Sequence, residues 1–139
     1  MDFGKVVLGS AQFGSDYGIS NKKGKIPIDE IKKILSLSKD NNILTIDTAY
    51  GYGESEKILG ECGIKDFNII SKIPSIPDHI VDIKKWISQK VEETLNRLKI
   101  DFLSTLLVHD SKQITGFKGE QICNSISELK KQKKIINHG

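Results

Sequence analysis

Residues 43–72, ILTIDTAYGYGESEKILGECGIKDFNIISK, contain the pattern on which the fold turns. Ile43-Leu44-Thr45-Ile46 is a β-branched run ending at Asp47, and Asn68-Ile69-Ile70 is a second such run ending at Ser71-Lys72. Between them a glycine-rich turn leads into Ser55–Cys62, which reads as a short helix. Strands joined through a helix are long-crossover neighbours, and such crossovers suit parallel pairing.

The same alternation continues on both sides. Upstream, Val6-Val7-Leu8 is a short apolar run closed by Gly9, consistent with a buried strand, and the polar Gly14–Lys25 stretch is a loop. Pro27 then precedes a helix with Ile31, Ile34, Leu35 and Ser38 at helical spacing and Asp29 and Glu30 in its first turn. Downstream, Pro74 and Pro77 break the chain before an amphipathic helix whose Ile83, Trp86, Ile87, Val91, Leu95 and Leu98 share one face. Leu103–Val108 is the next strand, ending at His109. A last helix near Gly119–Lys131 turns Ile122, Ile126 and Leu129 inward, and a fifth apolar run begins at Ile135-Ile136. Strands that are apolar throughout predict a parallel sheet covered on both faces. A doubly wound sheet and a (β/α) barrel both fit, and periodicity does not separate them.

The composition is that of an ordinary globular domain: 139 residues, 37% hydrophobic and 28% charged. The formal charge of +3 is small and its basic residues are scattered, which argues against a nucleic-acid partner. Lys130, Lys131, Lys133 and Lys134 read as a solvated helix end, where cations suit the dipole. Cys62 and Cys123 have no zinc-ligand spacing, so no metal is expected, and both are expected to be buried, reduced thiols. Met1–Leu8 lacks the apolar core of a signal peptide, and no apolar stretch approaches a membrane span. The expectation is one soluble, cytoplasmic domain over residues 1–139.

Asp47, Lys72 and His109 each fall at a strand's C-terminal end or one residue beyond it. In parallel α/β architectures those ends converge on one face, where active sites lie. Each has a plainer reading alone: a turn cap, a solvated cation, a polar strand end. Three in the same register on successive strands favour a shared site.

The local motifs add to this. Ile46-Asp47-Thr48-Ala49 followed by Tyr52-Gly53-Glu54-Ser55-Glu56 resembles the aldo-keto reductases, whose tyrosine follows the aspartate by five residues. The Ser71-Lys72 pair, the Leu106-Leu107-Val108-His109 strand end and the opening Leu8-Gly9-Ser10-Ala11-Gln12-Phe13-Gly14, with Tyr17-Gly18-Ile19, are similar to that family's corresponding segments. The opening is most like a bacterial branch, and the likeness runs through nearly the whole chain.

The resemblance implies a parallel (β/α) barrel of TIM type, here about four βα units, and NAD(P)H-dependent reduction of a small aldehyde or ketone. Tyr52 would be the general acid, Lys72 would stabilise its phenolate, Asp47 would hold Lys72, and His109 would orient the carbonyl. Gly9, Ser10, Ala11 and Asp47 would border the cofactor, NADPH. Tyr50 competes with Tyr52, but its spacing suits local packing or pocket lining. Gly51-x-Gly53 lacks the rest of a phosphate loop and reads as a tight turn. Trp86 reads as core, and His79 and His138 show no partner pattern.

A complete barrel takes about 250 residues, and the family's later cofactor contacts have no counterpart in this sequence. The expectation is therefore a truncated, inactive half-barrel with open sheet edges that invite self-association or pairing with a second half. A non-catalytic binding or regulatory half-barrel is the alternative.

Overall fold

The computed structural model describes residues 5–19, 21–22 and 24–139. Of the Met1–Leu8 stretch read as lacking a signal peptide's apolar core, Met1–Gly4 fall outside them, as do Ser20 and Lys23 of the first loop. In chain order the elements are β1 (Leu8–Gly9), α1 (Ala11–Gly14), α2 (Ile28–Asp40), β2 (Thr45–Asp47), α3 (Ser55–Cys62) and β3 (Asn68–Ile73). There follow α4 (Ile83–Leu98), β4 (Leu103–Val108), α5 (Lys112–Thr115), α6 (Gly119–Lys131) and β5 (Ile135–His138).

Among the described residues the sheet has five strands in the order β1-β2-β3-β4-β5, and each neighbouring pair is parallel. A doubly wound sheet reverses its strand order at a switch point. This order never reverses, so the ambiguity left by periodicity resolves to the winding of a (β/α) barrel, drawn here as an open arc with β1 and β5 at its edges.

Strand register explains which residues face the helices. Ile46 lies beside Ile69 and Ser71 beside Leu106, and all four are buried. The alternate positions pair Asp47 with Ile70 and Lys72 with Leu107 on the opposite face, where they are only half-buried. Cover on both faces was the expectation; among these residues it holds for one face. Helix α4 supplies much of that cover with Ile87, Val91, Leu95 and Leu98. Such side chains each contribute about 1.5–3 kcal/mol when fully buried. Asp82 caps α4, its side chain accepting from the Lys85 amide at 2.9 Å. Gly60 lets α3 meet α4, since a Cβ there would lie 2.1 Å from the Arg97 carbonyl oxygen.

Three further sequence expectations need correction. Val6 and Val7 stand outside β1 and are half-exposed, because pairing to β2 reaches only Leu8 and Gly9. Lys72 lies inside β3, which runs to Ile73. Cys123 is exposed, since Ile122, Ile126 and Leu129 fix the buried face of α6 and leave its neighbour outside; Cys62 is only partly covered. The single turn α5 was unforeseen, being too short to show a period. Among the described residues, no helix is long and apolar enough to cross a membrane.

Candidate active site

The site is built at the C-terminal ends of β2, β3 and β4. Asp47 is the last residue of β2, Lys72 the penultimate residue of β3, and His109 the first after β4. Lys72 Nζ donates to both Asp47 carboxylate oxygens, at 2.6 and 2.7 Å, and to the Thr48 carbonyl at 3.1 Å. It also reaches the Tyr52 hydroxyl at 3.4 Å. The Tyr52 and His109 rings meet edge to face, with centroids 6.0 Å apart and planes at 88°. The structure thus brings the four side chains predicted from sequence onto one rim, three joined by polar contacts and the fourth by a ring contact. His109 itself is exposed, held by its amide, which donates to the Ile73 carbonyl at 3.2 Å.

Tyr52 sits in a loop braced on both sides. Its amide donates to the Ala49 carbonyl at 3.0 Å, and its carbonyl accepts from Ser55 at 3.1 Å. On one flank Gly53 adopts a left-handed φ of +57°, and a Cβ there would lie 2.5 Å from the Gly14 carbonyl oxygen. The tight-turn reading of that glycine is therefore specific: it allows α1 to press on the tyrosine loop. On the other flank Tyr50 points away from the rim, its hydroxyl donating to Glu93 Oε2 of α4 at 2.7 Å. Tyr50 packs locally and Tyr52 takes the rim.

Gly9, Ser10 and Ala11 border an open cleft of about 360 Å³ with Gln12, Tyr17, Gly18, Asp47 and Tyr52. Ser10 stands behind this wall. It is fully buried, and its hydroxyl accepts from Ser55 Oγ at 2.8 Å. Ser55 also lies 3.3 Å from Thr48 Oγ1, tying the loop after β1 to the end of β2.

A second network lies behind Lys72. Glu56 is buried and accepts from Ser71 Oγ at 2.8 Å and from Thr94 Oγ1 at 3.2 Å, with Arg97 Nη1 at 3.4 Å. Burial pushes the Glu56 carboxyl above its ordinary range, against those hydrogen bonds and the Arg97 charge. Sequence reading named neither Ser55 nor Glu56 as part of the site. The available signal was the Tyr52-Gly53-Glu54-Ser55-Glu56 motif itself, which contains both residues but gives them no role. Among the described residues no cluster of three or more His, Cys, Asp or Glu side chains suits a metal ion.

Comparison with known proteins bears on what this rim is. A Pseudomonas aeruginosa protein described as an aldo-keto reductase superposes with a TM-score of 0.80 at 29% identity, over 96% of this chain and 53% of its own. The holo form of a Bacillus halodurans aldo-keto reductase gives 0.73 at 17% identity, over 96% of this chain and 44% of its own. A Klebsiella pneumoniae aldo-keto reductase in complex with NADPH gives 0.69 at 20% identity, over 96% and 44%. The latter two, at such identities, are likenesses of fold. This chain spans about half the length of these solved proteins. The comparison with curated proteins gave no match. The sequence profile of the aldo/keto reductase family matches residues 5–139, nearly all of the chain, which belongs to that family.

Proposed function

We propose that this rim is the proton-donating side of a carbonyl reductase site, reducing a small aldehyde or ketone to an alcohol with NADPH. The observation that supports this most directly is Lys72, held by Asp47 at 2.6 Å and set against the Tyr52 hydroxyl at 3.4 Å. A free phenol, with a pKa of about 10, is a poor acid at neutral pH, and a neighbouring ammonium favours its ionised form.

The cleft beside Asp47 and Tyr52 suits the nicotinamide end of the cofactor: it is open, about 360 Å³, and walled by small residues at Gly9, Ala11 and Gly18. Gly9, Ala11 and Asp47 would border the ring, and Ser10 would support the wall through Ser55. When bound, the reduced nicotinamide supplies the hydride. Tyr52 Oη gives its proton to the oxygen that becomes the alcohol, and Lys72 then faces a phenolate that solvent reprotonates. His109, edge-on to Tyr52, orients the carbonyl oxygen. These interactions strengthen as charge grows on oxygen, so they act on the transition state.

The test joins residues 5–139 to the portion of the Pseudomonas aeruginosa protein that they do not match. In that chimera Tyr52→Phe is expected to lower aldehyde-dependent NADPH oxidation by about 10²–10⁴-fold, with NADPH binding by fluorescence nearly unchanged. Retained turnover refutes the assignment of the acid. The 139 residues alone are proposed not to turn over, because their sheet is an open arc with β1 and β5 at its edges and does not close round a cofactor. Aldehyde-dependent NADPH consumption by the purified chain overturns that.

A further inference from the structure

The outer layer holds a cluster that the reaction does not use. Tyr50 Oη donates to Glu93 Oε2 at 2.7 Å and accepts from Lys90 Nζ at 3.0 Å. The Arg97 guanidinium lies 4.2 Å from the centre of the same ring, and Lys90 lies 4.8 Å from it. Arg97 also reaches Glu93 Oε2 at 3.9 Å and the buried Glu56 Oε2 at 3.4 Å.

The main chain connects this cluster to the rim. The Tyr50 amide donates to the Lys72 carbonyl at 3.2 Å, and Tyr50 precedes Tyr52 by only two residues. Glu56 accepts from Ser71, the residue before Lys72. One guanidinium on α4 therefore touches the anchor of the tyrosine's loop and the anchor of the lysine's strand. Its planar, multi-donor head can stack on a ring and bond a carboxylate together, which a lysine ammonium does not reproduce.

We infer that Tyr50 and Arg97 are positioning residues: by gripping α4 they fix the separation between the Tyr52 hydroxyl and the Lys72 ammonium. The inference rests on the proposed chemistry for its consequence but not for its geometry. Neither side chain meets substrate; both act through the loop and strand that carry Tyr52 and Lys72.

The chain has three tyrosines, Tyr17, Tyr50 and Tyr52, so labelling the ring carbon that bears the hydroxyl gives three signals, assigned by single Phe substitutions. Tyr50→Phe removes the hydroxyl and keeps the ring under Arg97. Arg97→Lys keeps a charge and loses the stacked plane. In each variant the Tyr52 signal is expected to move as Lys72 draws away from its hydroxyl. The Tyr17 signal and the far-ultraviolet circular dichroism are expected to stay unchanged. In the chimera each variant is expected to lower kcat roughly tenfold at constant KM, the signature of misplacement without lost binding.

An unmoved Tyr52 signal in folded variants overturns the inference. Unfolding of both variants also overturns it, since the residues would then hold the whole structure. If Tyr52→Phe in the chimera keeps its turnover, the proposed function fails while the signal shifts still stand. If Tyr52→Phe is dead and the Tyr52 signal is indifferent to Tyr50 and Arg97, the function stands and the inference fails.

Discussion

Asp47 and Glu56 both lie close to Lys72 or its strand, and both face a cation, yet their surroundings differ. Asp47 is one-third exposed, with 31% of its side chain accessible, and both of its oxygens are taken by Lys72. Glu56 has 1% accessible, and two hydroxyls share it with a more distant Arg97. A charge pair at an open rim can respond to a bound molecule, whereas a buried carboxyl with neutral donors holds its neighbours still. The fold uses the first in front of the sheet and the second behind it.

Substitution should separate the two. Asp47→Asn keeps the side chain's shape and removes the charge that holds Lys72. In the chimera it is expected to lower aldehyde reduction by about 10²–10³-fold with little change in Tm. A large fall in Tm with activity preserved would reverse the roles assigned to front and back. Glu56→Ala is the converse. It strands the Ser71 and Thr94 hydroxyls and Arg97, and urea unfolding is expected to show a loss of about 2–4 kcal/mol. A loss within about 0.5 kcal/mol, the range of ordinary surface changes, would mean the network behind Lys72 holds nothing.

The front of the site was far more legible in the sequence than the back. Asp47, Lys72 and His109 announce themselves by position at strand ends, and Tyr52 by its spacing from Asp47 within a motif. Helix boundaries were equally plain where a period was long enough: Ser55–Cys62 and Ile83–Leu98 fall where the apolar spacing and the breaking prolines and glycines put them. The back was hidden because it is made of contacts between distant elements. Nothing local to Arg97 says that it will cover Tyr50 or reach Glu56, which lie 47 and 41 residues away in a chain that must first wind through β3. Val6 and Val7 misled for the related reason that an apolar run does not reveal how far its neighbour's pairing extends.

Acid titration offers a gentler test, because two carboxyls on this side of the sheet are shifted in opposite directions. Hydrogen bonds from Lys90 and Tyr50 hold Glu93 down to about 2 from an ordinary 4.5. A lowered carboxyl contributes stability that is present above its unfolded pKa and is lost as pH falls toward the folded one, here between 4.5 and about 2. Glu56 is raised by burial, so the fold prefers its protonated form and stability declines as pH rises above the ordinary carboxylate range. Urea midpoints measured from pH 3 to pH 8 are expected to peak between these two declines. Glu56→Gln is expected to flatten the alkaline side and leave the acid side intact. Glu93→Gln is expected to do the opposite. Because Glu93 is one-third exposed, added salt should shrink its share.

Lys57, the residue after Glu56 on α3, gives the smallest effect and the sharpest control. It pairs with Glu54 at 3.4 Å, with 61% and 58% of the two side chains accessible. Its ammonium remains hydrated whether or not the pair forms, and holding two long side chains together offsets most of the Coulomb gain. Lys57→Ala is therefore expected to change unfolding free energy by less than about 0.5 kcal/mol, and chimera activity not at all. The comparison with Glu56→Ala is made within one helix, one residue apart, so helix propensity and position along α3 are nearly matched. If Lys57→Ala cost as much as Glu56→Ala, the loss would belong to α3 as a helix. The distinction between a carboxyl buried to hold Ser71 and a charge left in water would then carry no energy.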